Sequence, residues 1–441
     1  MDKNRDYKSS LSTRKRKKTD IKPFDRFRTP PKQNLFLMPL IWLLCFILTR
    51  KGKLKIKRER MKDLKPPFIV LGTHHAFSDF YVTPLALFPY RANYISELEG
   101  FEAFGEWIYR QVGCLGTRKF VNDIALIKNI KKVVDRKGVI VIYPEARYAN
   151  VGTNALIPES VGKLVKMLGV PLVTINMRGN YLQSPIWNLS LRKDARQEAI
   201  ISQVFTKEEV SKATVEEINC EIQKKLSFDE YGYQYEKKMK ISFEKRAEGL
   251  HNVLYRCPEC NFEFSTGSEG ADIYCKKCGV RFTMNEYGRL IKDGSEWRFS
   301  HIPDWYEWQR ECVKKEIDDG KYYFDGKVHI ESLPNAVNFI NLGTGRLVHN
   351  SSGYYLTFCD YEKQEETLYF SSASMLSVHT EYDYRNSGQC ITLSTLDNTY
   401  FIFPECDGFN ATKFQFATEY FFEISKKHEN GLNKDSCNRR H

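Results

Sequence analysis

The sequence predicts a mixed α/β chain: a largely parallel sheet flanked by helices, then a four-cysteine ribbon, then a β-rich C-terminal domain with a capping helix. Three observations carry this. Residues 66–187 alternate short, continuous apolar runs with helical stretches, as strands covered on both faces do. Four cysteines stand as two CxxC pairs between 257 and 278. Beyond residue 321 short alternating runs are separated by turns and end in a helical pattern.

The first element is basic and apolar. Of the formal charge of +12, residues 1–65 hold 21 Lys/Arg against 6 Asp/Glu, so the rest of the chain is slightly acidic. Residues 1–33, with "RKRKK", read as a basic disordered tail, and 34–62 as a membrane-associating helix with a basic flank. The run Leu35–Leu48 is 14 residues long with Pro39 inside it, whereas a single span needs about 20. A secretory signal fits poorly, since no small-residue cleavage site follows. Trp, Phe and Leu between basic flanks suit a helix lying in an anionic membrane surface, with residues 12–62 as the contact. A buried helix with a basic tail is the plainer alternative, and a nucleic-acid tail a weaker one.

Residues 63–191 read as the α/β domain. "PFIVLGT", "GVIVIYP" and "GVPLVTINM" are its strands, and "DIALIKNIKKVVDR" has helical spacing. Residues just past the carboxyl ends of such strands face the working crevice, where His74 and Glu145 stand. His74 and Asp79 would diverge by about 140° within one helix. They meet only if His74 lies in the loop and Asp79 in the first helical turn. A carboxylate on one imidazole nitrogen then fixes the tautomer and leaves the other to take a proton from a hydroxyl. Pairing of His75 with Asp79 is equally compatible with the spacing, as is a loop histidine beside a capping Asp. Arg118 and Lys119 after a Gly-containing segment, with Glu145 and Arg147 after the next strand, add the cations a phosphate-bearing substrate needs.

These blocks resemble the glycerolipid (lysophosphatidic acid) acyltransferase family. His74 to Asp79 matches its His, four residues, Asp; Gly113 to Arg118 its Gly-started turn ending in Arg. "YPEAR" (143–147) corresponds to its aromatic-Pro-Glu-Gly-Thr-Arg string, and Val170-Pro171 to its Val-Pro strand. The likeness spans residues 35–187. Thr73 and Ala76 stand where the family has Asn and Ser, the second block is a residue short, and "YPEAR" lacks the Gly. The resemblance implies a glycerolipid-acyltransferase-like sheet and transfer of an acyl group from an acyl-coenzyme A or acyl-carrier-protein thioester to a lysophospholipid hydroxyl, at the cytoplasmic face of a membrane. It implies His74 as base, Asp79 as its orienter, and Arg118, Glu145 and Arg147 at the acceptor's phosphate. The alternative is a non-catalytic lipid-binding adaptor on the same scaffold. No nucleophile elbow of a serine hydrolase is present.

Residues 192–252 read as a helical extension with N-caps at Thr206 and Thr214. Cys257, Cys260, Cys275 and Cys278, in 253–291, form a closed four-thiolate shell for a structural Zn2+. The other cysteines are scattered singly, which suits a reducing compartment. The ribbon loop has no Lys or Arg and three acidic residues, so nucleic acid is not expected as a partner. A zinc ribbon after the acyltransferase blocks resembles a bacterial subgroup of that family. Residues 292–320 read as a linker helix with Trp305, Trp308 and Cys312 on one face, a core face with a membrane or partner face as the alternative. Residues 321–427 read as a β-rich domain similar in layout to pleckstrin-homology or GRAM-like domains, a binder of lipid or a protein partner, and 428–441 as a polar tail.

Overall fold

The computed structural model describes residues 21–438. Its first sheet holds β1 (Lys55–Glu59), β2 (Phe68–Gly72), β3 (Ala92–Glu97), β4 (Cys114–Thr117), β5 (Val139–Ile142), β6 (Leu172–Arg178) and β7 (Glu198–Phe205), in the order β1-β7-β6-β2-β5-β3-β4. β2, β3, β4, β5 and β6 run parallel, and β7 is antiparallel to β6. Every residue of β2 is buried, because helices cover both faces and leave no polar side for alternation. One face carries α1 (Met38–Thr49), α2 (Asp79–Leu87), α3 (Leu98–Phe104) and α4 (Glu106–Gln111). The other carries α5 (Ile124–Asp135), α6 (Ser160–Leu168), the short α7 (Asn180–Gln183) lying past the strand ends, then α8 (Lys207–Lys212) and α9 (Val215–Leu226).

Two boundaries move. The stretch 192–252, expected to be helical and to lead out of the domain, contributes β7, whose half-buried alternation "EAIISQVF" was outweighed by the helical residues after it. Both expected capping boxes form, Thr206 with Glu209 and Thr214 with Glu217. The helices they start turn back, and α9 buries Ile218, Ile222 and Leu226 against the sheet. At the other end, the basic flank forms β1, an edge strand paired with β7. Of the expected basic tail, residues 1–20 with the run 12–20 lie outside the described residues. Residues 21–33 lack regular structure but are tied down: Arg136 donates to the carbonyls of Pro30 and Pro31, and the Asn129 amide to that of Arg26.

After α10 (Glu230–Glu236) comes a five-stranded antiparallel sheet of β8 (Thr266–Glu269), β9 (Asp272–Cys275), β10 (Arg281–Met284), β11 (Arg289–Lys292) and β12 (Ser295–His301). It extends the ribbon into the segment expected to be linker. α11 (Ile302–Asp318) follows, with Trp305 buried in the core and its indole N–H donating to Arg256 O at 2.9 Å. The last domain is a seven-stranded antiparallel sheet, β13 (Phe324–Ser332), β14 (Ile340–Asn350), β15 (Gly353–Cys359), β16 (Glu365–Ser371), β17 (His379–Glu381), β18 (Cys390–Ser394) and β19 (Thr399–Pro404). Asn410 caps α12 (Ala411–Asn438) by accepting from Lys413 N, and Phe414, Ala417 and Phe421 of that helix pack into the core. The helix continues through most of the expected tail.

Candidate active site

β2 ends at Gly72, and a six-residue loop leads to Asp79 at the start of α2. A Cβ on Gly72 would meet the Tyr143 ring at 2.9 Å, so glycine there lets Tyr143 cross the strand end. Tyr143 stacks on His74 with centroids 4.5 Å apart, and Tyr148 closes the imidazole from another side at 4.4 Å. His74 Nδ1 lies 3.1 Å from Asp79 Oδ2. The same oxygen accepts from the backbone N–H of His75 at 2.6 Å and of Ala76 at 3.1 Å. Asp79 Oδ1 accepts from Asn180 Nδ2 at 2.7 Å, and Asn180 is itself held by Gln197.

This geometry separates the two histidines. A carboxylate with no exposure and four donors around it remains an acceptor, so His74 presents its N–H at Nδ1 and its lone pair at Nε2. No described residue engages Nε2. The His75 ring lies against Phe228 at 3.9 Å, and burial pushes its pKa down to about 4. His75 is a neutral core residue that gives Asp79 only its backbone.

The expected phosphate ligands are employed otherwise. Arg118 is buried and spans to the C-terminal domain, donating to Leu333 O at 2.8 Å, Thr399 Oγ1 at 2.9 Å, Pro334 O at 2.9 Å and Asp397 O at 3.0 Å. Burial lowers its pKa to about 10, still a cation at neutral pH. Arg147 pairs with Glu419 of α12 at 3.3 Å. Burial pushes the Glu419 carboxyl up, but Arg310 and Arg147 outweigh it and hold it below its ordinary value. Glu145 accepts from Ala155 N at 2.7 Å, and burial raises its pKa to about 8, so it is largely protonated at neutral pH. None of the three meets His74 or Asp79 in a hydrogen bond. The physical reason is that the C-terminal domain docks on the carboxyl end of the sheet, and buried arginines take the acceptors it brings.

Asn180 was not singled out by sequence reasoning. It follows Gly179, whose φ of +81° and whose clash of any Cβ with Arg196 O (1.8 Å) demand glycine. A Gly-Asn step past a buried strand was the available clue. Tyr143 and Tyr148 flank "PEAR" but look like ordinary core aromatics in sequence.

The four ribbon cysteines form a separate cluster. Their Sγ atoms all lie within 4.8 Å of one another, with Cys257 to Cys278 at 3.7 Å and Cys260 to Cys275 at 3.8 Å. Four thiolates about 2.3 Å from one zinc have sulfur–sulfur edges of about 3.8 Å. The donor set therefore fits a zinc ion, and four protein ligands leave it no open position for chemistry.

No family model and no curated protein matches the chain. Among solved structures, the 1-acyl-sn-glycerophosphate (LPA) acyltransferase PlsC from Thermotoga maritima is similar at 14% identity and a TM-score of 0.37, covering 43% of this chain and 77% of that one.

Proposed function

We propose that the chain is a membrane-peripheral O-acyltransferase that moves a fatty acyl group from a thioester to a lysolipid hydroxyl. The observation that carries the reading is the His74–Asp79 pair, with Nδ1 committed to a saturated carboxylate and Nε2 unengaged at the carboxyl end of a parallel sheet. His74 Nε2 removes the acceptor's proton as the hydroxyl oxygen attacks the thioester carbonyl. The C–S bond then breaks, the proton passes from His74 to the leaving sulfur, and an ester and a thiol result. Asp79 holds the imidazole in register and balances its transient charge. No acyl-enzyme is required. The thioester belongs to coenzyme A or to a carrier protein. In this reading zinc at the four cysteines is structural.

Placement at the cytoplasmic face of a membrane is part of the proposal, and α1 supports it. Only Met38, Cys45 and Thr49 of α1 are buried, against α2, while Leu40, Leu43, Phe46 and Ile47 face outward. A helix apolar all round with one narrow buried stripe suits a lipid surface. No helix among the described residues is long and apolar enough to cross a membrane.

The commitment of Arg118 and Arg147 to the C-terminal domain favours a second reading, a lipid-binding scaffold without turnover. Thiol release from an acyl thioester, with lysophosphatidate and other lysolipids in mixed micelles, decides between them. Acceptor-dependent release lost in His74→Ala supports transfer. Silence with every acceptor and both donor types leaves the scaffold.

A further inference from the structure

The sheet face that carries α1 also carries an apolar tip that the N-terminal helix does not explain. α3 and α4 meet at Gly105, whose φ of +88° breaks the helix and where an added Cβ would meet nothing within 4 Å. On the inner side Leu98 and Phe101 are buried, and Phe101 packs on Phe24 and Tyr109, so the core's demand is met there. On the outer side Phe104 is 51% exposed, Trp107 68% and Ile108 51%. Phe77, also exposed, stacks on Phe104 with centroids 6.0 Å apart. That ring stands three residues from His74.

This tip is tied to the segment that leads into α1. The Asn34 backbone N–H and side-chain amide both bind Gln111 at the end of α4, at 2.9 and 3.0 Å. Within α1, Trp42 packs edge-on to exposed Phe88 with centroids 4.9 Å apart. The exposed cations Arg50, Lys51, Lys53 and Lys55 follow directly on α1. Arg58 fastens this basic segment to the carbonyls of Leu85, Ala86 and Phe88 at the end of α2. Of the acidic residues on α3 and α4, Glu106 is paired with Arg28, and burial raises the pKa of Glu102. Isolated exposed apolar residues are ordinary, but a cluster of them tied to an apolar helix with cations after it is matched by an anionic bilayer.

We infer that α3 and α4 form a second membrane-inserting element, in which Phe104, Trp107 and Ile108 enter an anionic bilayer beside α1 and bring its surface up to Phe77 at the lip of the His74 crevice. This deepens the proposed membrane-facing reading and rests on it. A lysolipid would then slide from the bilayer to His74 past Phe77 without crossing water.

The test is co-sedimentation of the full chain with vesicles of equal phosphatidylglycerol and phosphatidylcholine. Three proteins are compared: the parent, a Phe104→Ser/Trp107→Ser/Ile108→Ser variant, and a Phe36→Ser/Phe46→Ser variant of the α1 region. Loss of three buried apolar side chains predicts a fall in partition of roughly tenfold or more, with the thermal melt in solution unchanged. As a second readout, the fluorescence difference between the parent and Trp107→Phe should be quenched by brominated lipid. Undiminished partition of the triple variant, or an unquenched difference, overturns the inference. If the α1 variant alone loses binding, only this inference falls; if neither variant does, the membrane-facing reading falls with it. A lipid-free dimer abolished by the triple substitution would assign the face to a second copy instead and also overturn it.

Discussion

At His74, a buried carboxylate gathers four donors and one imidazole nitrogen is left unengaged. At Arg147, close enough in space that Ala149 N bonds His74 O at 3.0 Å, the buried carboxylate is filled instead. Glu419 there takes Arg147, Arg310, Ser377 and Gln415 together. The two corners lie at one end of the same sheet, and each is built on a buried carboxylate. The difference is that the His74 ring keeps one nitrogen unengaged while the Glu419 carboxylate is saturated. A saturated cluster holds domains together.

Substitutions can break this comparison, and the largest expected effect is at His74. His74→Ala should lower acceptor-dependent thiol release by roughly 10²–10⁴-fold, the usual worth of a positioned base, with the melt nearly unchanged. Asp79→Asn should lower kcat strongly too, because the amide presents donors to backbone N–H groups. A parent-like rate in either variant would place the chemistry elsewhere.

At the closed corner the expected loss is of fold instead. Arg147→Met leaves Glu419 buried with one partner fewer, which should cost about 3–5 kcal/mol in urea unfolding. If the variant were stable and raised KM only for phosphate-headed acceptors, Arg147 would be a phosphate ligand after all and the contrast would collapse.

Glu145 sharpens the comparison through pH. Its folded pKa of about 8 lies above its ordinary value, so its contribution is fully present below about pH 4.5 and is lost as pH rises through 8. Urea midpoints of the parent should therefore fall between pH 5 and 8 more than those of Glu145→Gln. Equal slopes would mean that the carboxyl is solvated. The smallest effect is at Ala146, whose φ of +55° is left-handed. It stands where the resembling family has glycine, and Ala146→Gly should stabilise the fold by about 1 kcal/mol, read as a rise in Tm.

Much of this was legible in the sequence because it depends on local spacing. Continuous apolar runs fixed β2, β5 and β6; Thr-x-x-Glu fixed the starts of α8 and α9; CxxC pairs fixed the ribbon knuckles. The His-to-Asp offset required a loop followed by a helix, which is what forms. β7 was hidden because eight residues of modest alternation lie beside a strongly helical run. The choice between His74 and His75 was hidden because both spacings reach Asp79.

By itself, then, the sequence determined the elements, the His74–Asp79 relation and the cysteine knuckles, since each is set by neighbours a few residues apart. Only the tertiary structure decided which polar groups stay free. Arg118 meets the carbonyls of residues 333, 334 and 397, and Arg147 meets Glu419. Those partners lie more than two hundred residues away, and a buried cation takes whatever acceptors domain docking brings to it. The outward apolar tip at Trp107 was decided the same way, because exposure depends on what fails to pack against a side chain.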